Sequence, residues 1–207
     1  RSRRQRQMCI RDRIAPGFGD RGINGKIIAA NYARRNRIPT LGICLGMQIM
    51  AIEFARNVLG YEKADSTEMD TQTPHPVISL MDAQKNVTEK GGTMRLGSWV
   101  CELIEGSKAA SIYKSQLIKE RHRHRYEFNN DFKEEFEQNN FIPTGINPET
   151  ELVEILELDQ HPFYMGVQFH PEYKSTVDSP HPLFIQFIEA TLNHSLNEKI
   201  NAKGEKL

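Results

Sequence analysis

From Ile14 onward the chain alternates between two hydrophobic periods. APGFGDRG, Ala15 to Gly22, is a glycine-rich turn. GKIIAANYARRN follows, with Ile27, Ile28, Tyr32 and Ala33 at helical spacing and arginines in the last turn, where they suit the helix dipole. After Pro39, TLGIC is a short unbroken apolar run, as expected of a strand buried on both faces. LGMQIMAIEFARNVLG returns to a helical pattern and stops at Gly60. Turn, helix, strand and helix in that order predict a parallel α/β sheet.

The middle of the chain is polar and punctuated by glycine. The pattern predicts a strand over Pro74 to Leu80, a loop over Gly91 to Gly97 and a strand in SWVCELI. SKAASIYKS fits a short helix or edge element, and DFKEEFEQNN a surface helix with Phe132 and Phe136 on one face. ELVEILEL alternates as a strand, FYMGVQF is another, and HPLFIQFIEATLNHSL is a closing amphipathic helix. The polar residues beyond about Leu196 are expected to fray. No internal repeat or low-complexity linker interrupts the pattern.

Composition narrows the picture. The 207 residues fit one domain, 38% apolar content supports one core, and 26% charged residues point to a soluble protein. Lys plus Arg equals Asp plus Glu at 27 each, so no global field favours nucleic acid or a membrane. No apolar run approaches the ~20 residues that span a bilayer. Cys9, Cys44 and Cys101 are few, odd in number and far apart, which argues for a reducing compartment, the cytoplasm, and against a disulfide framework. RSRRQRQMCIRDR, residues 1–13, stands apart with six arginines and one acid. A basic arm for nucleic acid and a transit peptide fit it poorly, the latter because of Asp12 and the lack of an amphipathic repeat. The segment is expected to lie outside the native domain.

Two motifs carry chemistry. Gly42-Ile43-Cys44-Leu45-Gly46 has the form G-x-C-x-G between a predicted strand and a predicted helix. A sharp turn there lifts the side chain above the sheet, and the glycines avoid clashes with neighbouring strands, as in the related G-x-S-x-G elbow. A thiol at a helix N-terminus gains thiolate character from the dipole, and the following N–H groups can face a developing oxyanion. A buried inert cysteine between packing glycines fits the same string. Cys101, in an apolar run without glycines, reads as core. The second motif is VQFHPEY. His170, just past a strand, can serve a nucleophilic thiol as base and then acid, and Glu172 can orient its ring.

GICLGMQ together with QFHPE resembles the class I (triad-type) glutamine amidotransferases. EFARNVLG, ADSTEM, GGTMRLG, ERHRHRYEFN and HPEYKSTVDSPHPLFIQFIEA are similar to the amidotransferase domain of the CTP synthases, and the likeness runs from Ile14 to about His194. The resemblance implies an α/β fold, a three-layer sandwich with a central, mostly parallel sheet. It implies a domain over 14–196, incomplete at its start, followed by a disordered tail over 197–207. The implied activity is hydrolysis of L-glutamine to glutamate and ammonia through a cysteine thioester. A synthetase domain of the same chain would use the ammonia for ATP-dependent amination of UTP.

The same resemblance assigns Cys44 as nucleophile, His170 as general base and acid, and Glu172 as the orienter of His170. It places Gly17 at the substrate and oxyanion hole, where a backbone must come close. Leu45, Gly46, Met47 and Gln48 would line the glutamine pocket, although Leu45 and Met47 suit a core equally well. Glu68 would hold the α-ammonium and Arg125 the α-carboxylate. On residue type alone, both fit solvated surface charges. His122 and His124 in RHRHR are two apart, but the interleaved arginines and the lack of other ligands argue against zinc. In the family this run belongs to the substrate and interdomain region. GGTMRLG lies in a lid-like segment associated with GTP, an allosteric activator, and no single residue is assigned. No metal or cofactor is expected in this chain. The absence of G-x-x-x-x-G-K-[ST] agrees, since ATP and Mg2+ would act in the synthetase domain. The full protein is expected to be a homo-oligomer, a tetramer.

With only Ile14 and Ala15 ahead of PGFG, sheet edges and apolar faces would be exposed, so the isolated polypeptide is expected to be poorly stable and inactive. Rival readings are an amidotransferase component of another synthase, such as GMP synthase, a stand-alone γ-glutamyl cysteine hydrolase, and a binding module that keeps the fold without the chemistry.

Overall fold

The computed structural model describes residues 12–17, 22–80 and 94–204. Its centre is the unit that carries Cys44. Strand β1 (Asp12–Ile14) is followed by helix α1 (Ile23–Arg35), strand β2 (Thr40–Ile43) and helix α2 (Leu45–Asn57). Strands β3 (Ala64–Ser66), β4 (His75–Leu80) and β5 (Arg95–Leu103) come next, then helix α3 (Lys108–Tyr113). Strands β6 (Leu117–His124) and β7 (Tyr126–Phe128) lead to a 3-10 turn and helix α4 (Lys133–Gln138). The chain closes with β8 (Phe141–Ile146), β9 (Val153–Leu158), β10 (Tyr164–Val167), a 3-10 turn at Pro171–Lys174 and helix α5 (Pro182–Gly204).

The strands form a seven-stranded sheet in the order β1-β2-β10-β9-β8-β5-β6, with a second sheet of order β3-β4-β7. One apolar cluster joins α1, α2 and the small sheet to one face of the large sheet, through residues such as Ile27, Phe54, Val77 and Tyr164. The other cluster joins the opposite face to α3 and α5, through Leu41, Ile43, Ala109 and Leu183. The three-layer α/β arrangement is therefore present, but the sheet is mixed. Among the described residues of the large sheet, β1 with β2 and β2 with β10 pair in parallel, whereas its other ladders are antiparallel. The sequence pattern missed this because β5 and β6, and β8 and β9, return beside one another as antiparallel pairs, while the chain passes through the small sheet before β8 pairs with β5.

α2 is buried along Leu45–Ala55, including Glu53, because it lies between the large sheet, the small sheet and α1. A buried carboxylate needs partners. Glu53 accepts from Arg34 at 2.9 and 2.8 Å and from Asn31 at 2.7 Å, which ties α1 to α2. The buried stripe of α1 is Ile23, Ile27, Ala30 and Ala33, not the expected Ile27, Ile28, Tyr32 and Ala33. Ile28 is 70% and Tyr32 51% exposed, since neighbours on a helix are about 100° apart and the alanines let α2 approach closely.

Other boundaries also move. Asp12 and Arg13, assigned by sequence to a non-native tail over 1–13, pair with Thr40 and Leu41 as part of β1. The tail expected at 197–207 is helical through Gly204, because no helix breaker interrupts the segment before that glycine. Arg95, Leu96 and Gly97 belong to β5 and not to a loop, held by pairing with the RHRHR strand, while Gly91 to Thr93 lie outside the described residues. ELVEILEL does not alternate in burial, since its strand is covered on both faces. Its Glu157 accepts from the Lys108 and Ala109 N–H groups at 3.0 and 2.8 Å and from the Thr144 hydroxyl at 2.6 Å. No helix among the described residues is long and apolar enough to cross a membrane.

Close packing of β2 against α2 rests on the two elbow glycines. A Cβ on Gly42 would land on the Met50 sulfur and the Gly46 backbone, and one on Gly46 would strike the Ile14 carbonyl. Gly42→Ala is therefore expected to cost about 1–3 kcal/mol, the usual penalty for overpacking a core, and to lower the thermal midpoint of unfolding. An unchanged midpoint would show that the elbow has room to spare.

Candidate active site

Cys44 stands at the junction of β2 and α2 with φ 54° and ψ −108°, a strained conformation for a residue with a side chain. Its own N–H donates to the Val167 carbonyl at 2.7 Å, which locks the elbow onto β10. Because β2 and β10 run parallel, with Ile43 opposite Val167, both chains leave the sheet at the same end. Cys44 follows the first strand directly and His170 follows the second by three residues. The two motifs of the sequence thus emerge at the same end of two neighbouring strands.

His170 is held from two directions. Its N–H donates to the Arg121 carbonyl at 2.8 Å. Its Nδ1 lies 2.7 Å from Glu172 Oε1, because the 3-10 turn beginning at Pro171 folds the chain back. A carboxylate can only accept, so the proton of this contact sits on Nδ1. Nε2 is buried with no hydrogen-bond partner among the described residues. The Tyr173 ring stacks on the imidazole at 4.9 Å between centroids and 11° between planes, a contact with no signal in the sequence pattern.

The thiol rests protonated. Burial pushes Cys44 up to about 12; the Leu45 backbone N–H pulls it down, and the carboxylates of Glu127, Glu172 and Glu68 add to the rise. From sequence, the helix N-terminus is expected to favour thiolate. One N–H is present at the sulfur as expected, but desolvation outweighs it. Attack by this sulfur would therefore require a base to remove its proton.

A cavity opens beside the thiol, and the structure brings Gly17, Gln48, Glu68 and Arg125 together around it with Cys44. Gln48 is fixed there by donating to the Tyr126 carbonyl at 2.9 Å and to the Gln168 side-chain oxygen at 3.2 Å. Met94, His124 and Tyr126 also line the cavity and were missed as individual residues. The signal for His124 and Tyr126 was present in RHRHRYE, where alternation sends His122 and His124 inward and Arg121 and Arg123 outward. Leu45, Gly46 and Met47 are not in the cavity wall. The Met47 side chain is fully buried and packs toward Gly166, while Leu45 reaches the site through its backbone N–H. The cation that faces His122 and His124 is Arg95 from β5, rather than the interleaved arginines.

Residues 13–190 match the family model described as glutamine amidotransferase class-I. The chain is similar to a CTP synthase of Christiangramia forsetii, 63% identical over 190 residues, covering 92% of this chain and 35% of that protein. It therefore spans about a third of the length of such relatives. Among solved structures it is similar to the glutaminase domain of Trypanosoma brucei CTPS with bound acivicin. That match has a TM-score of 0.81 and 38% identity, covering 86% of this chain and 69% of the other. A protein from Thermoplasma acidophilum described as a GMP synthase component shares the fold at a TM-score of 0.53 and 17% identity, over 85% of this chain and 69% of that one.

A thiol with so high a pKa has a thiolate fraction that grows about tenfold per pH unit through neutrality. Alkylation of Cys44 without glutamine is expected to accelerate steadily from about pH 6 to about pH 9. A rate plateau near neutral pH, measured by mass spectrometry of the labelled peptide, would reveal a preformed thiolate and contradict this assignment.

Proposed function

The chain belongs to the class I glutamine amidotransferase family, as a glutaminase domain of the CTP synthase type, and from that premise we propose that it hydrolyses L-glutamine and supplies the ammonia that converts UTP to CTP. One observation carries the chemical part. A cysteine on a strand-to-helix elbow, beside a cavity that holds one acid and one arginine, and a carboxylate-oriented histidine follow the same ends of adjacent parallel strands.

In this reading Cys44 Sγ attacks the side-chain carbonyl carbon of glutamine while His170 Nε2 takes the thiol proton. The Leu45 N–H, already at the sulfur, belongs to the backbone that faces the developing oxyanion, and Gly17 lets the opposite wall come close. His170 then delivers its proton to the departing nitrogen. The C–N bond breaks and ammonia leaves behind a γ-glutamyl thioester. Water, deprotonated by the same imidazole, cleaves the C–S bond and restores the thiol. Glu172 keeps Nδ1 protonated throughout and stabilises the transient imidazolium. Glu68 would accept from the α-ammonium of the substrate, and the planar fork of Arg125 suits its α-carboxylate. Of the four residues after Cys44, Leu45 would contribute its backbone N–H and Gln48 its side-chain amide.

The remainder belongs to the whole protein. A synthetase domain would bind ATP, Mg2+ and UTP, and none of the chemistry assigned to them is placed on residues of this chain. GTP would act as an allosteric activator, the oligomer would be a homotetramer, and the cytoplasm would be the compartment. The CTP synthase assignment is favoured over a GMP synthase component because the former likeness extends to sequence, whereas the latter is one of fold alone.

Cys44→Ala in the full-length enzyme is expected to abolish glutamine-dependent CTP formation, a loss of at least about 10³-fold for removal of a covalent nucleophile, and to spare formation from free ammonium. Steady-state assays with each nitrogen source separate the outcomes. Loss of both activities would remove Cys44 from a purely glutaminase role, and formation of GMP from its own precursor would point to the rival synthase.

A further inference from the structure

The segment that carries Glu172 is tied down from outside the cavity. It runs from the 3-10 turn Pro171–Lys174 through an exposed loop to His181, just before α5. Val177 in that loop is 98% exposed, so the loop buries little of its own to hold it in place. Its two ends nevertheless meet at one buried atom. Lys174 Nζ and His181 Nε2 lie 3.5 and 3.1 Å from Glu120 Oε1 on β6. The Leu183 N–H donates to His181 Nδ1 at 3.3 Å, so that nitrogen accepts and Nε2 carries the proton given to Glu120. The Tyr113 hydroxyl of α3 donates to the same oxygen at 3.2 Å. Glu120 is 1% exposed and its Oε2 accepts no hydrogen bond from the described residues, so the donors are concentrated on Oε1. The His181 N–H closes the base of the loop by donating to Ser175 Oγ at 3.1 Å.

β6 holds the same segment through Lys119, Glu120 and Arg121. Lys174 Nζ also donates to the Lys119 carbonyl at 2.6 Å, and the His170 N–H donates to the Arg121 carbonyl at 2.8 Å. The strand thus grips residues 170 and 174, on either side of Glu172. Glu172 reaches His170 Nδ1 at 2.7 Å from only two residues along the chain, so the backbone between them sets that contact. The Glu172 side chain is 33% exposed, and water offers its carboxylate an alternative to the ring. An ion pair exposed to water contributes little, and the Lys174 side chain is 44% exposed. Its acceptor, however, is buried, and a buried carboxylate that loses donors is costly. A clamp outside the site can therefore decide how often Glu172 faces His170.

We propose that Glu120, Lys174 and His181 are positioning residues for the His170–Glu172 pair: one buried carboxylate oxygen clamps both ends of the loop after Glu172 to β6, and so keeps Glu172 on His170 Nδ1. None of the three lines the cavity beside Cys44, so the clamp acts through the turn and not on the substrate. Its effect on glutamine hydrolysis rests on the function proposed above, but its effect on the turn does not.

The test uses the full-length enzyme. Lys174→Met removes one arm of the clamp at a surface position. Its kcat for glutamine hydrolysis is expected to fall at least about tenfold, since a misplacement of about 1 Å at a reacting group costs up to about 10²-fold. KM for glutamine and CTP formation from free ammonium should stay as in wild type, and Lys174→Arg, which keeps the charge and donors, should retain kcat. In a Glu172→Ala background, where the carboxylate is already gone, Lys174→Met should cause no further loss. Hydrogen exchange over residues 170–181 should lose protection in Lys174→Met while β2 and α2 keep theirs. Glu120→Ala should reproduce the kcat loss; if it does not fold, the Lys174 variants decide. An unchanged kcat, a loss that lies in KM, or an equal further loss in the Glu172→Ala background overturns the proposal. A wild-type enzyme that hydrolyses no glutamine would refute the function proposed above, and unchanged exchange in Lys174→Met would then overturn the clamp by itself.

Discussion

Everything the site does depends on the sharp bend at Cys44. A non-glycine residue at φ 54° is held there because β2 and α2 approach each other too closely for any wider turn. Gly42, Gly46 and Gly166 supply the missing volume, and the Cys44 N–H bonded to Val167 fixes the bend to the neighbouring strand. That bond also sets the relation between the two halves of the chemistry. Since β10 is the parallel partner of β2, the strand that locks the cysteine is the one that ends in the histidine.

The price of this placement is a thiol buried deeply enough to stay protonated. Burial is a stronger influence than the helix N-terminus, so in the proposed reaction activation falls to the imidazole and to the arrival of substrate. The surroundings follow the same logic of compensating charge in a dry interior. Glu53 is matched by Arg34 and Asn31, Glu157 by the first N–H groups of α3, and Glu120 by His181 at 3.1 Å and the Tyr113 hydroxyl at 3.2 Å. Lys174, two residues beyond Glu172, donates to the Lys119 carbonyl at 2.6 Å and approaches Glu120 at 3.5 Å. The turn that presents Glu172 to His170 is therefore anchored to β6 on one side and, through Glu120 and His181, to the start of α5 on the other.

β6 shows how one strand serves both roles. Its alternation buries Ile118, Glu120, His122 and His124 and leaves Lys119, Arg121 and Arg123 outside. Glu120 supports the triad turn, the Arg121 carbonyl holds the backbone of His170, and His124 reaches the cavity. Read as a string, RHRHR is a basic run; read as a strand, it is a wall of the site with its cations turned away.

Local sequence determined the elbow, the His-Pro-Glu turn and the helices on either side of Cys44, because each is built from residues within a few positions of one another. Glycine spacing, a strand-length apolar run and a proline-stiffened pair are local constraints. The expected acid and arginine of the cavity, Glu68 and Arg125, were legible only through the longer strings around them, since a lone surface-type charge has no local signature. The mixed sheet, the buried face of α1, and the joining of Arg95, Glu127 and Glu154 to two histidines were decided by tertiary structure alone. They depend on which strands pair, and pairing is set by contacts between residues far apart in the chain, where no local period carries the information.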